Sequence, residues 1–275
     1  MTRIAETLGV SRSNLYERIT GRGKPRGSYF KADDETLLPL IRRFVDARPT
    51  YGYRRITALV NRELAKQGLP PANHKRVYRI MKRWALLLER HTGRREGRVH
   101  DGTVVVMRSN LRWCSDALEF TCWNGDIVRM AFIIDAHDRE TIAWQAVCGA
   151  GISGDMVRDM MLEAVEKRFT AARAPHPVEH LSDNASAYTA KLTRDFALAL
   201  NLVPCFTPVN SPESNGLAEA FVKTFKRDYV RVNPLPDGET ALRQIAGWVE
   251  DYNESHPHSA LRMRSPREFI RAQAQ

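Results

Sequence analysis

At about residue 111 the hydrophobic period of the chain changes, and the change limits the folds open to it. Before that point apolar residues recur at helical spacing, as Ile56, Leu59, Val60 and Leu64 do on one face. Beyond it, runs at about 112–121, 127–135 and 140–148 are rich in Val, Ile, Trp, Phe and Thr, which suit a pleated surface. Asn124-Gly125-Asp126 parts the first two and reads as a hairpin turn. Ser153 then caps a helix to about 169, a short strand ends at Asp183, a helix covers about 188–200, and a fifth strand runs over about 202–206. Helices follow at about 212–230, 239–253 and 265–273. Three hairpin-linked strands followed by alternating helix and strand predict an α/β domain over 111–275. A chain of 275 residues leaves room for a smaller module ahead of it.

That leading part is predicted to be all-helical. Residues 1–30 read as a partial helix-turn-helix, with a helix from about Arg3, a turn at Gly9, and a second helix capped by Ser11. Helical patterns at about 33–47, 52–66 and 73–86 form a further module over 31–90. In the last of these, Val77, Ile80, Met81 and Trp84 are expected to face inward, and Lys75, Arg79, Lys82 and Arg83 outward. A polar stretch at 91–110, with Arg94, Arg95, Gly97 and Arg98, reads as a basic linker. Charge follows the same division. Residues 1–112 hold 25 Lys/Arg against 10 Asp/Glu, whereas residues 113–275 hold 17 against 22. A basic part carried on a mildly acidic one points to a polyanion-binding module, with a merely solvated basic surface as the alternative. Cys114, Cys122, Cys148 and Cys205 form no C-x-x-C pair and read as reduced, mostly buried thiols. No apolar run is long enough to cross a membrane, and no signal-peptide core is present, so the expected location is the cytoplasm.

Three acidic residues stand out by context. Asp116 follows Trp113-Cys114-Ser115 in the first strand-like run, Asp183 ends the fourth, and Glu219 lies in the helical pattern that opens after Ser211-Pro212. Carboxylates on separate elements that meet at one sheet edge suit Mg²⁺, which takes few protein ligands and prefers oxygen. Two such ions about 3.5–4 Å apart stabilise the attacking and leaving oxygens of a phosphodiester displacement. Without metal the same carboxylates repel one another, which raises a pKa. Asp126, Asp135 and Asp138 are better explained as turn residues, and Glu119 falls on the opposite strand face from Asp116.

Residues 207–229, containing Asn215-Gly216-Leu217-Ala218-Glu219-Ala220-Phe221, closely resemble the third motif of transposases from bacterial insertion sequences with two reading frames, insertion-sequence family three. Ser182-Asp183-Asn184 resembles the second motif and Trp113-Cys114-Ser115-Asp116 the first, with thirty-five residues between Asp183 and Glu219. Tyr51-Gly52-Tyr53-Arg54-Arg55-Ile56 with Lys75-Arg76-Val77-Tyr78-Arg79-Ile80-Met81 is similar to the helical module before the core. Tyr252-Asn253, His256-Pro257-His258-Ser259-Ala260-Leu261 and Ser265-Pro266 resemble the C-terminal signature, so the likeness spans roughly 33–270.

The resemblance implies an RNase H-like integrase catalytic core, a five-stranded mixed sheet flanked by helices, behind a helix-turn-helix-type DNA-binding region. It implies a DDE transposase in which Asp116, Asp183 and Glu219 are catalytic and hold Mg²⁺ or Mn²⁺, two ions in all. It further implies double-stranded DNA as partner at element ends and target, a homo-oligomer in a synaptic complex, and an upstream-frame DNA-binding protein fused to or paired with this chain. Candidate DNA contacts are Arg54, Arg55, Lys75, Arg76, Arg79, Lys82 and Arg83, with Lys223 and Lys226 beyond Glu219 on its helical face; ordinary surface lysines are the alternative for the last two. Asn215-Gly216 is expected in a mobile loop before the catalytic helix, and His256 and His258 read as packing or DNA-contact residues. Two departures stand out. Ala185 occupies a usual Gly position, at a strain of about 1–2 kcal/mol if its φ is positive, and Arg262-Met263 replaces a common Gly-Tyr. The zinc module of retroviral integrases has no counterpart, since residues 1–112 contain His74, His91 and His100 but no Cys. Two other functions share these residues: a nuclease of the same fold that cuts without joining, and a DNA-binding element remnant or repressor with an inactive core.

Overall fold

The computed structural model describes residues 2–20, 34–89, 106–207 and 215–274. It divides into two compact units, Met1–Leu40 and Ile41–Gln275. In the first, α1 (Thr2–Thr7) and α2 (Arg12–Ile19) are joined through Gly9, whose φ of +61° supplies the left-handed turn. The Ser11 hydroxyl accepts from the Asn14 N–H at 3.2 Å and caps α2 as expected. The linker expected at 91–110 lies outside the described residues as far as 105.

Helix α3 (Asp34–Ala47) opens on Asp34 and Glu35, acidic residues that complement the N-terminal end of a helix. Helices α4 (Tyr53–Lys66) and α5 (His74–Arg83) pack on each other through Ile56, Leu59, Val60 and Leu64 against Val77, Ile80 and Met81. Trp84 corrects one expectation, because it is 45% exposed instead of facing inward. The helix ends at Arg83; the Leu86 N–H closes back on the Met81 carbonyl at 2.8 Å, and Ala85 turns to φ +53°. The indole is therefore carried off the apolar face, where the Arg42 guanidinium lies 4.9 Å over its ring.

The α/β part is a five-stranded sheet in the order β3-β2-β1-β4-β5. Strands β1 (Arg112–Thr121), β2 (Ile127–Asp135) and β3 (Thr141–Cys148) pair antiparallel, while β4 (Val178–Ser182) and β5 (Leu202–Phe206) run parallel to β1. This is the RNase H-like arrangement. Strand alternation sends successive side chains to two cores. Cys114, Leu118, Phe120, Val128, Met130 and Phe132 pack under α9 (Gly216–Phe225) and α10 (Gly238–Ser255). Trp113, Ala131, Ile133, Val178 and Leu202 pack under α6 (Gly154–Phe169), the short α7 (Ser186–Thr189) and α8 (Lys191–Ala199). After a 3₁₀ turn at Ser259–Leu261, α11 (Pro266–Gln273) closes the chain with a Ser265–Glu268 capping box.

Three further expectations change. The helix predicted over 212–230, of which 212–214 lie outside the described residues, runs regularly from Gly216 to Phe225 and widens into a π-helical turn at Lys226–Val230. Asn215 is buried at the head of α9 instead of belonging to a loop. Ala185 has φ −62°, so the condition for strain is not met, whereas Arg262 at +56° and Met263 at +64° adopt the left-handed backbone that glycine accepts most easily. His256 is fully buried and stacks on Tyr252 with ring centroids 5.3 Å apart, and its neighbour His258 meets the same ring at 5.0 Å; both pack the core. Among the described residues no helix is long and apolar enough to cross a membrane.

Candidate active site

The site begins where two parallel strands part. The β1–β4 pairing ends at Cys114 opposite Leu181, and both of these face the α9 core. Asp116 lies two residues beyond Cys114, and Asp183 two residues beyond Leu181. Strand alternation therefore gives Asp116 the face of Cys114 and Leu118, while Glu119 falls on the other face and pairs with Arg129 at 2.7 Å. The parting also leaves the Ser115 carbonyl without a β4 partner. The Asn215 Nδ2 donates to it at 3.0 Å, which ties the first turn of α9 to the strand beside Asp116. Beneath, the Ser115 hydroxyl donates to the Phe132 carbonyl at 2.8 Å and lies 2.7 Å from the Tyr188 hydroxyl.

Glu219 stands in the first turn of α9, between buried Ala218 and Phe221. Its carboxylate is 2.9 Å from the Lys223 ammonium one turn on. Asp183 accepts from the Ala185 N–H at 3.1 Å, and the neighbouring Asn184 amide donates to the Thr207 carbonyl at 2.8 Å. Asp116 accepts from the Ala117 N–H at 2.8 Å. Its carboxyl is pushed up to about 6, first by burial, against the lowering effect of the Ala117 bond, and further by the charges of Asp183 and Glu219. Asp183 and Glu219 thus both lie within electrostatic reach of Asp116. Among the described residues no three His, Cys, Asp or Glu side chains are drawn into one ready ligand set for an ion, and Glu219 is engaged by Lys223.

The other turn carboxylates have structural work. The Asp135 carboxylate accepts from the N–H groups of Asn110 and His137, both at 2.7 Å, and Asp126 accepts from Gly238 at 2.9 Å. Asp138 is fully buried and paired with Arg168 at 2.9 Å.

The candidate DNA-contact residues separate into groups. Lys75, Arg79, Lys82 and Arg83 are exposed on the face of α5 opposite Val77, Ile80 and Met81. Arg54 is exposed, and its Nε donates to the Tyr53 hydroxyl at 3.2 Å, while Arg76 is half-buried. Arg55 is corrected: its guanidinium pairs at 3.1 Å with the buried Asp228 and serves the interior. Lys223 is exposed, and Lys226 is half-buried at the start of the π-helical turn. Sequence reasoning does not reach the roles of Asn215 and Asp228. Asn215 has a signal in its place one turn before Glu219; Asp228 has none, since a regular helix is expected through it.

Integrase core domain family models match residues 107–212 and 202–266, and an HTH-like domain model matches residues 31–92. The chain is similar to the transposase InsD for insertion element IS2 of Escherichia coli, with 51% identity over 274 residues, covering 98% of this chain and 91% of the relative. It is similar to an uncharacterized protein of insertion element IS136 from Agrobacterium fabrum, with 73% identity over 190 residues, covering 69% of this chain and 97% of the relative. Among solved structures, the catalytic core domain of BIV integrase aligns with a TM-score of 0.39 at 16% identity, covering 60% of this chain and 97% of that one.

Proposed function

The chain belongs to the family of insertion-element transposases with an integrase core domain, and from that premise we propose that Asp116, Asp183 and Glu219 are the carboxylates through which it cuts and joins DNA. The activity is that of a DNA transposase of the DDE type, a polynucleotidyl transferase. The observation that carries the residue assignment is the Asp116 carboxyl, raised to about 6 at the parted ends of β1 and β4 by burial and by the other two charges. A group so placed favours a cation or a proton over a bare charge.

Three carboxylates fit a divalent cation, because the donors are hard oxygens on three separate elements. Mg²⁺ or Mn²⁺, two ions in this proposal, would supply charge stabilisation to both the attacking and the leaving oxygen. The chain's own residues do the rest. Asp116 and Asp183 fix the strand side of the site, Glu219 closes it from α9, and Asn215 holds that helix to the strand. Lys223 offsets the Glu219 charge, and its exposed ammonium can donate to a phosphate oxygen in place of that carboxylate. In the first step a water oxygen attacks phosphorus at the element end, and the 3′-oxygen leaves as a free hydroxyl. In the second, that hydroxyl gives up its proton and attacks a target phosphodiester; one phosphodiester forms, one breaks, the target's 3′-oxygen leaves as a hydroxyl, and no covalent enzyme intermediate is needed.

The helical module over 31–90 is proposed to grip the element end through Lys75, Arg79, Lys82 and Arg83, with Arg54 and Arg76 beside them, and Lys226 is proposed to join Lys223 near the cleaved strand. The partner is double-stranded DNA at element ends and target. A homo-oligomer that holds two ends together, an upstream-frame DNA-binding partner and a bacterial cytoplasmic setting complete the proposal.

The test is product analysis of labelled terminal-repeat DNA in Mg²⁺. Nicked strands together with strands joined to a second duplex are expected. Nicking without joining would point to a nuclease, and binding without either would point to an inactive core.

A further inference from the structure

The catalytic helix is held at both ends, and its C-terminal anchor reaches into the helical module. After Phe225 the helix widens so that its bonds span five residues instead of four, with the Arg231 N–H bonding back to the Lys226 carbonyl at 3.0 Å. The widening turns two successive side chains, Asp228 and Tyr229, into the interior together. Asp228 accepts from the Thr50 hydroxyl at 2.6 Å and the Arg55 guanidinium at 3.1 Å, while Arg227 closes its outer side at 2.6 Å. His256 lies 3.9 Å from the same carboxylate and meets the Tyr51 hydroxyl at 2.7 Å. Tyr229 packs its ring tilted against Phe225, with centroids 5.4 Å apart, and donates to Asp251 at 2.9 Å, and Asp251 is in turn held by Arg48 at 2.8 Å. Both anchors of the turn therefore end on one stretch, Arg48 to Arg55, which leads from α3 into the first turn of α4.

The Glu219 carboxylate is engaged within its own helix, by Lys223, so its placement follows that of α9. We propose that Asp228 is a positioning residue for Glu219. It fastens the C-terminal end of the catalytic helix to Thr50 and Arg55, so that the helical module sets where Glu219 stands. The second part rests on the reading of Glu219 as a metal-site carboxylate. A module displaced by the DNA it carries would then move the helix that completes the site, which couples end binding to cutting.

The test compares Asp228→Asn with Arg62→Met. The latter removes a guanidinium that pairs with Glu268 at 2.6 Å and donates to the Ser255 and Met263 carbonyls at 2.6 and 3.3 Å, joining the same module to α11 and the end of α10 without touching the turn. Hydrogen exchange is read on residues 216–225 and on β1, and Mn²⁺ alone is titrated by calorimetry. In Asp228→Asn the α9 amides are expected to exchange on the order of tenfold faster with β1 unchanged, and Mn²⁺ to bind on the order of tenfold more weakly. Arg62→Met is expected to lose thermal stability with both readouts as in wild type. Thr50→Val, which removes a single hydrogen bond, should move both readouts in the same direction by less, and it decides the matter if Asp228→Asn does not fold. Unchanged α9 exchange in the folded variants would overturn the coupling. Mn²⁺ affinity that Glu219→Gln leaves intact would instead overturn the assignment of Glu219, while the exchange readout still judges the anchor.

Discussion

At the scale of single residues, the site is defined by a charge kept where charge is unfavourable. The raised Asp116 carboxyl means that the folded chain holds a proton there that the unfolded chain, near the ordinary carboxylate value, has already lost. Its contribution to stability is full below about pH 4 and is lost as pH rises through about 6. Asp116→Asn removes the ionised form, so the variant should melt above the wild type at pH 8, with the gap closing toward pH 4. A gap independent of pH would mean that neither burial nor the neighbouring charges raise the Asp116 carboxyl. Asp116, Asp183 and Glu219 are legible in the sequence because each sits in a recognisable local string. Asn215 and Asp228 are not, because their roles depend on partners far along the chain, Ser115 and Arg55. Arg55 departs from expectation for the same reason, since residue type says what a guanidinium can pair with and not which carboxylate the fold delivers.

At the scale of elements, periodicity carries most of the architecture. All five strands and the long helices are legible, because a buried face repeats every two or 3.6 residues. The exceptions are places where one residue breaks the period. Ala85 ends α5 early and exposes Trp84, and the π-helical turn at Lys226–Val230 brings Asp228 inside. The basic face of α5 is the element to test for DNA. Replacing Lys75 and Lys82 together by Ala should weaken binding similarly on any sequence. It should also flatten the slope of log affinity against log salt by about two units, roughly 0.9 for each phosphate no longer neutralised. An unchanged slope would remove α5 from the interface.

At the scale of the whole molecule, the basic and acidic parts expected from charge meet inside one compact unit, Ile41–Gln275, through Arg48–Asp251, Arg55–Asp228 and Arg62–Glu268. Among the described residues of this unit burial lowers three histidines, His180 to about 4, His258 to about 3, and His256 well below its ordinary value. A buried neutral histidine excludes a proton that the unfolded chain binds, so its contribution is full above about pH 6.5 and is lost as pH falls toward its folded value. Asp116 and Asp135, both raised, act in the opposite sense over part of the same range. The histidines outnumber them, so unfolding at pH 5.5 should take up a net proton or more, read by calorimetry in buffers of different ionisation enthalpy. Net release would contradict the burial of these rings.

The central claim, that Asp116, Asp183 and Glu219 together cut and join DNA, is tested most directly by Glu219→Gln on end-labelled terminal-repeat DNA, with binding measured alongside. Cutting and joining that require Mg²⁺ or Mn²⁺ in the wild type, and that are lost in the variant while DNA affinity is retained, are the predicted result. Cutting that survives the substitution would contradict it.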